Sequence, residues 1–88
     1  MVSRELVIRN RAGIHARPAS QLVQLANKFS STITIEKDSE KINAKSIMGI
    51  IALGATYNTV LTVSADGSDE QEALAAIEKL VEGKFSEE

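Results

Sequence analysis

The sequence predicts an α+β domain in the order βαββαβα, a four-stranded sheet with helices packed on one of its faces. Three observations predict it. Residues 5–9, 32–36, 41–44 and 60–65 alternate in polarity or are rich in β-branched side chains. Apolar residues recur at helical spacing over 19–29 and again over 73–81. Between the two middle strands and the last one, a short segment carries both a helix start and a helix stop. A chain of 88 residues has room for one core, so residues 1–88 are expected to form a single domain.

Along Glu5 to Arg9, Leu6 and Ile8 face one way while Glu5, Val7 and Arg9 face the other, as in a strand with one buried side. Arg11-Ala12-Gly13 interrupts it. After His15, Leu22, Leu25, Ala26 and Phe29, with Ala19 and Val23 beside them, define the first helix, and Pro18 sits near its start, where a missing N–H costs little. Thr32 to Glu36 and Lys41 to Ala44 read as a hairpin around Asp38-Ser39-Glu40. Val60 to Ala65 forms the last strand, with Leu61, Val63 and Ala65 on one face. Asp66-Gly67-Ser68-Asp69 breaks it, and Asp69 with Glu72 has the spacing of a capping box. The helix that follows is expected to bury Ala73, Leu74, Ile77, Leu80 and Val81, and the tail Ser86-Glu87-Glu88 to be mobile.

Composition excludes several functions. Only Phe29, Tyr57 and Phe85 are aromatic, so the core is expected to consist of Leu, Ile, Val and Ala, and no aromatic platform for stacking bases is available. A net charge of −2 gives no bulk attraction to nucleic acid, and direct nucleic-acid binding is not expected. No cysteine is present, which removes disulfides, thiol chemistry and Cys-based zinc sites. No apolar run is long enough for a signal peptide or a membrane span, so the chain is read as cytoplasmic, without membrane insertion.

The stretch KSIMGIIALG, residues 45–54, is apolar on two sides. Ser46 is a good N-cap and Gly54 a good stop. On the helix between them Ile50 and Leu53 share one side, while Ile47, Met48 and Ile51 gather on the other. Either a partner covers that second patch or a neighbouring loop does, and the pattern alone leaves both open.

The chain's only histidine lies in GIHARPAS, residues 13–20. With no second His and no Cys, a metal site is not expected. A Ser-His-Asp hydrolase needs a cleft and an oxyanion hole that nothing here suggests. The remaining role is nucleophile: an unperturbed imidazole titrates near ~6.5, so at neutral pH one ring nitrogen keeps a lone pair that can attack phosphorus. If His15 begins the helix, the backbone N–H groups of Ala16 and Arg17 lie in its first turn and can cradle phosphoryl oxygens. The Arg17 guanidinium can pair with the same anion, and Gly13 lets the backbone bend ahead of the helix. Taken singly, each of these residues is an ordinary surface group, and the conjunction is what points to phosphotransfer.

Through GIHARPA and KSIMG, and over nearly all of its length, the chain resembles the HPr family, the histidine-containing phosphocarriers of the bacterial phosphoenolpyruvate-dependent phosphotransferase system. The resemblance implies an open-faced β-sandwich, four antiparallel strands covered on one face by three helices. It implies that His15 accepts a phosphoryl group from enzyme I and passes it to IIA-type domains of sugar permeases, with Arg17 assisting, so that the protein is a carrier rather than an enzyme. It needs no cofactor and is expected to be a monomer. Ser46 matches the serine that an ATP-dependent HPr kinase/phosphorylase modifies in many members, which adds that enzyme and a catabolite-control transcription regulator as partners. Ile47, Met48 and Ile51 match the docking patch, favouring its exposure.

A phosphate on Ser46 would meet the positive end of the short helix with Lys45 adjacent, yet it would charge an apolar docking surface. Two positions depart from the family pattern. Ala12 stands where a polar side chain usually helps to orient the imidazole, and Tyr57-Asn58 replaces a glycine-containing turn, where Asn58 can still take a left-handed conformation. Two further readings are a regulatory branch that signals nitrogen or carbon status without sugar transport, and a transcription co-regulator. In the latter, glutamine is expected at position 15, where this chain has histidine.

Overall fold

The computed structural model describes residues 1–86; of the expected mobile tail, Glu87 and Glu88 lie outside the described residues. The elements are β1 (Val2–Val7), α1 (Ala16–Ala26), β2 (Thr32–Lys37), β3 (Glu40–Asn43), α2 (Ile47–Leu53), β4 (Val60–Asp66) and α3 (Glu70–Glu82), followed by a 3₁₀ turn (Lys84–Ser86). The strands form one antiparallel sheet in the order β1-β4-β2-β3. Leu6, Ile33, Ile35, Leu61, Val63 and Ala65 point from it into the core, where they meet Ala19, Leu22 and Ala26 of α1, Ile50 and Leu53 of α2, and Ala73, Leu74, Ile77 and Val81 of α3. Burying each Leu, Ile or Val stabilises the fold by roughly 1.5–3 kcal/mol.

The strand boundaries differ from expectation for a reason of pairing. β1 begins at Val2 rather than Glu5, because Val2 to Val7 lie opposite Ala65 to Val60 of β4. The polar side chains Ser3, Arg4 and Glu5 carry no apolar alternation that would reveal this. At the other end Ile8 still exchanges hydrogen bonds with the 56–59 turn, donating to the Thr59 carbonyl at 3.0 Å and accepting from Asn58 N at 2.8 Å, while Arg9 lies beyond the strand. Asn58 takes the left-handed conformation, φ 70°. The β2–β3 hairpin turns on two residues only, Asp38 and Ser39 at φ 51° and 71°, the positive pair that a type I′ turn requires. β3 therefore starts at Glu40, and Ala44 leaves it while still donating to the Ile33 carbonyl at 2.9 Å.

Four expectations about the helices are corrected. α1 stops at Ala26, where the Asn27 side chain and backbone both donate to the Val23 carbonyl, so Phe29 lies in the following turn and is half-buried. Leu80 is likewise only half-buried, lining a shallow groove with Leu25 and Ala76. Phe85 is fully buried, so the core does contain an aromatic ring. Lys84 and Phe85, at φ 58° and 54°, turn the chain back past the end of α3 and carry the ring inward.

The capping box at α3 does not form. Asp69 is the N-cap residue, but its carboxylate makes no bond to its own helix; it accepts instead from the Ser31 hydroxyl and from the backbone N–H groups of Ser30 (2.9 Å) and Ser31 (3.0 Å). The loop leaving α1 runs past the start of α3 and supplies better-placed donors than Glu72, which is exposed. Glu70 accepts from Gly67 N at 3.1 Å.

The Ser31 hydroxyl first, then the Ser30 N–H, hold the Asp69 carboxyl at about 2 against an ordinary 3.8. A carboxyl depressed in this way stabilises the folded state above its unfolded value, and that contribution is lost as the pH falls from 3.8 through about 2. Asp69→Asn is therefore expected to melt below wild type at pH 7, with the difference shrinking between pH 4 and pH 2. Melting curves followed by circular dichroism at these pH values check it, and a difference as large at pH 2 as at pH 7 would contradict it.

Candidate functional site

The loop from Ile8 to Ile14 places His15, and it is held along its length. Gly13 N donates to the Asn10 carbonyl at 3.0 Å, closing a tight turn. The Asn10 side chain, buried under that turn, donates from Nδ2 to the Gly13 carbonyl at 2.6 Å. Ile14 is buried and its N–H donates to the Ala55 carbonyl at 2.9 Å. Gly13 is required here twice over: its φ is +73°, and a Cβ would stand 2.7 Å from the Ala55 carbonyl oxygen. The start of α1 is thus pinned to the residues that follow the end of α2.

His15 is the N-cap of α1, extended at φ −103° and ψ −162°, with its side chain exposed. Its carbonyl accepts from Ala19 N at 2.9 Å, while its imidazole makes no capping bond to the helix. Ala16 and Arg17 occupy the first two helical positions, whose N–H groups have no partner within a helix, and Pro18 has none to offer. Both are exposed, and the first turn holds no acidic side chain. The result is a surface position with an imidazole, two backbone donors, a guanidinium on the second helical residue and no carboxylate in that turn to oppose an anion. Such a position can receive a phosphoryl group. Ala12 is exposed and offers no hydrogen-bonding side chain. Among the described residues no group of three or more His, Cys, Asp or Glu side chains gathers in a way that could hold a metal ion.

α2 lies beside this site, joined to it through Ala55. Ser46 is its N-cap, and the exposed hydroxyl accepts from Gly49 N at 3.1 Å; Gly54 ends it at φ +67°. Ile50 and Leu53 are buried, whereas Ile47 is 39% exposed, Met48 71% and Ile51 42%. Among the described residues no loop covers the patch, so the second of the two alternatives left open by the sequence pattern is set aside and the patch is exposed in the single chain. Lys45 differs from expectation: its ammonium donates to the Phe29 carbonyl at 2.8 Å, tying α2 to the turn after α1 instead of standing ready for a charge on Ser46.

Sequence reasoning missed Asn10. A polar residue just after a strand reads as a loop residue, and only the fold reveals that it is buried under the Gly13 turn.

The family model described as the PTS HPr component phosphorylation site matches residues 2–83. The chain is 47% identical over 88 residues to the phosphocarrier protein HPr of Treponema pallidum, covering 100% of both. The crystal structure of HPr from Thermoanaerobacter tengcongensis superposes with a TM-score of 0.97 at 52% identity, covering 100% of this chain and 99% of that one. The crystal structure of Crh, a catabolite repression protein of Bacillus subtilis described as a swapped dimer, superposes with a TM-score of 0.77 at 44% identity, over 96% of this chain and 97% of that one.

Because Gly13 combines positive φ with a backbone contact, Gly13→Ala is expected to lower stability by more than about 1 kcal/mol and to displace residues 13–16. Urea denaturation and backbone amide chemical shifts measure the two effects. An unchanged midpoint with unshifted Ala16 and Arg17 amides would contradict the tight fit.

Proposed function

Since the chain belongs to the HPr family of phosphotransferase-system phosphocarriers, we propose that His15 accepts a phosphoryl group from enzyme I and hands it to IIA-type domains of sugar permeases, in the cytoplasm and as one 88-residue monomeric domain. In the accepting step a lone pair of a neutral ring nitrogen attacks phosphorus; the N–P bond forms as the bond to the donor atom of enzyme I breaks. In the second step an acceptor atom of the IIA domain attacks phosphorus from the opposite side, and the N–P electron pair returns to the imidazole. Nothing is oxidised or reduced, and the carrier ends as it began.

The observation that carries this reading is the exposed imidazole on the N-cap of α1, beside a first turn without acidic side chains. The Ala16 and Arg17 amides stabilise the phosphoryl oxygens, and the Arg17 guanidinium adds a charge-assisted bond. Ile47, Met48 and Ile51 supply the apolar surface on which enzyme I and the IIA domains dock, and their exposure within the single chain supports this.

Ser46 is a regulatory phosphorylation site in this reading, addressed by an HPr kinase/phosphorylase. A dianion there abuts the apolar patch and must be desolvated when a partner docks, with the Lys45 ammonium engaged elsewhere. The modified form is also the one suited to a catabolite-control transcription regulator. The likeness to Crh favours one second reading, a branch that signals carbon or nitrogen status without sugar transport. Transfer of label onward to a IIA domain of a sugar permease separates the two, because a purely signalling branch keeps its phosphate from that acceptor.

Incubation with enzyme I and phosphoenolpyruvate is expected to place an acid-labile phosphate on the wild-type chain and none on His15→Ala. In the same assay Ser46→Asp is expected to take up label more slowly than wild type. Retained label in His15→Ala would overturn the site, and equal rates for Ser46→Asp would overturn the regulatory role.

A further inference from the structure

We propose that Asn10 is a positioning residue for phosphoryl transfer: its carboxamide clamps the Gly13–Ile14 peptide plane, one residue ahead of His15 in the chain. The inference rests on the reading of His15 as the phosphoryl acceptor.

The Gly13–Ile14 peptide is gripped at both ends. Its carbonyl oxygen accepts from Asn10 Nδ2 at 2.6 Å, and its N–H donates to the Ala55 carbonyl at 2.9 Å. Rotation of that plane about its Cα–Cα axis would break both bonds, and with Ile14 buried the displacement would pass on to the backbone of His15. The plane therefore sets where the imidazole stands relative to the Ala16 and Arg17 amides. Ala12, with its methyl group exposed, contributes no hydrogen bond to this task.

Asn10 is itself an unusual choice unless the clamp matters. Its exposure is 0%, and its Oδ1 is buried without a hydrogen-bond partner among the described residues. An unmatched acceptor is retained at a desolvation cost that an apolar side chain of similar size would avoid. The carboxamide cannot turn over to relieve it, because Oδ1 would then face the Gly13 oxygen at the same short distance, two acceptors with no proton between them. What the amide provides in return is the bond to Gly13, one intervening residue from His15.

The role separates from general stability by experiment. Asn10→Ala and a remote core variant, Ile77→Val, are compared for thermal stability and for transfer from phosphorylated enzyme I, with the rate constant and KM determined separately. Asn10→Ala is expected to lose roughly ten- to a hundredfold in the rate constant, the scale of a small misplacement of reacting groups, at unchanged KM, since the α2 docking patch is untouched. Ile77→Val is expected to lose stability alone. A wild-type rate in folded Asn10→Ala, an effect confined to KM, or an equal rate loss in Ile77→Val would overturn the clamp.

The wild-type chain gives a second readout that does not depend on the variant folding. The Asn10 side-chain amide protons should exchange slowly with solvent before and after phosphorylation, and fast exchange would overturn the proposal. If wild type takes no phosphate on His15, the parent reading fails and this one with it; if it does and Asn10→Ala matches it, only the clamp fails.

Discussion

The hydrogen bond from Ile14 N–H to the Ala55 carbonyl joins the start of the helix that carries His15 to the end of the helix that carries the apolar patch. In the proposed function both working parts of this fold depend on that junction. A carrier must do two things at once, offer a nucleophile to a phosphoryl donor and present a surface on which that donor can dock. In the function proposed here, the nucleophile and the surface belong to separate helices, with the β2–β3 hairpin between them in sequence. The backbone bond, with Gly13 packed too closely against Ala55 and Thr56 to admit a side chain, fixes their relative position.

The same economy governs the chemistry. No elaborate pocket is needed where a helix start leaves its first N–H groups unpaired in solvent and its dipole favours negative charge. In the proposed function an anion there would be held mainly by backbone rather than by a cage of side chains, and so not too firmly to leave. Acidic residues are placed away from this end: Glu70 and Glu72 lie in the first turn of α3, where they complement a different helix dipole, and the first turn of α1 has none. Both helix starts obey one electrostatic rule, and they differ in whether the negative charge is built in or arrives.

How much of this could be read from residues follows from whether the deciding contact is local. The hairpin at Asp38-Ser39, the Ser46 cap, the Gly54 stop and the grouping of Ile50 and Leu53 on one side of α2 and Ile47, Met48 and Ile51 on the other all arise within a few residues, and the pattern revealed them, while leaving open whether the second side is exposed. So did His15 at the head of α1. What escaped was set across the chain. Asp69 had the local spacing of a capping box but found donors on Ser30 and Ser31, far away in sequence. Lys45 reached Phe29 rather than its neighbour. Ser3, Arg4 and Glu5 became strand only because β4 lies alongside. Phe85 and Asn10 were not among the residues expected in the core, and the fold buried both.

The central claim is that the first-turn amides of α1 receive the phosphoryl group. Backbone amide spectra of the ¹⁵N-labelled protein, recorded before and after phosphorylation by enzyme I, test it most directly. The account predicts that the Ala16 and Arg17 amide protons move downfield on phosphorylation, as hydrogen bonds to an anion form, while residues of the sheet core stay in place. Phosphorylated protein in which those two amides do not move would contradict it.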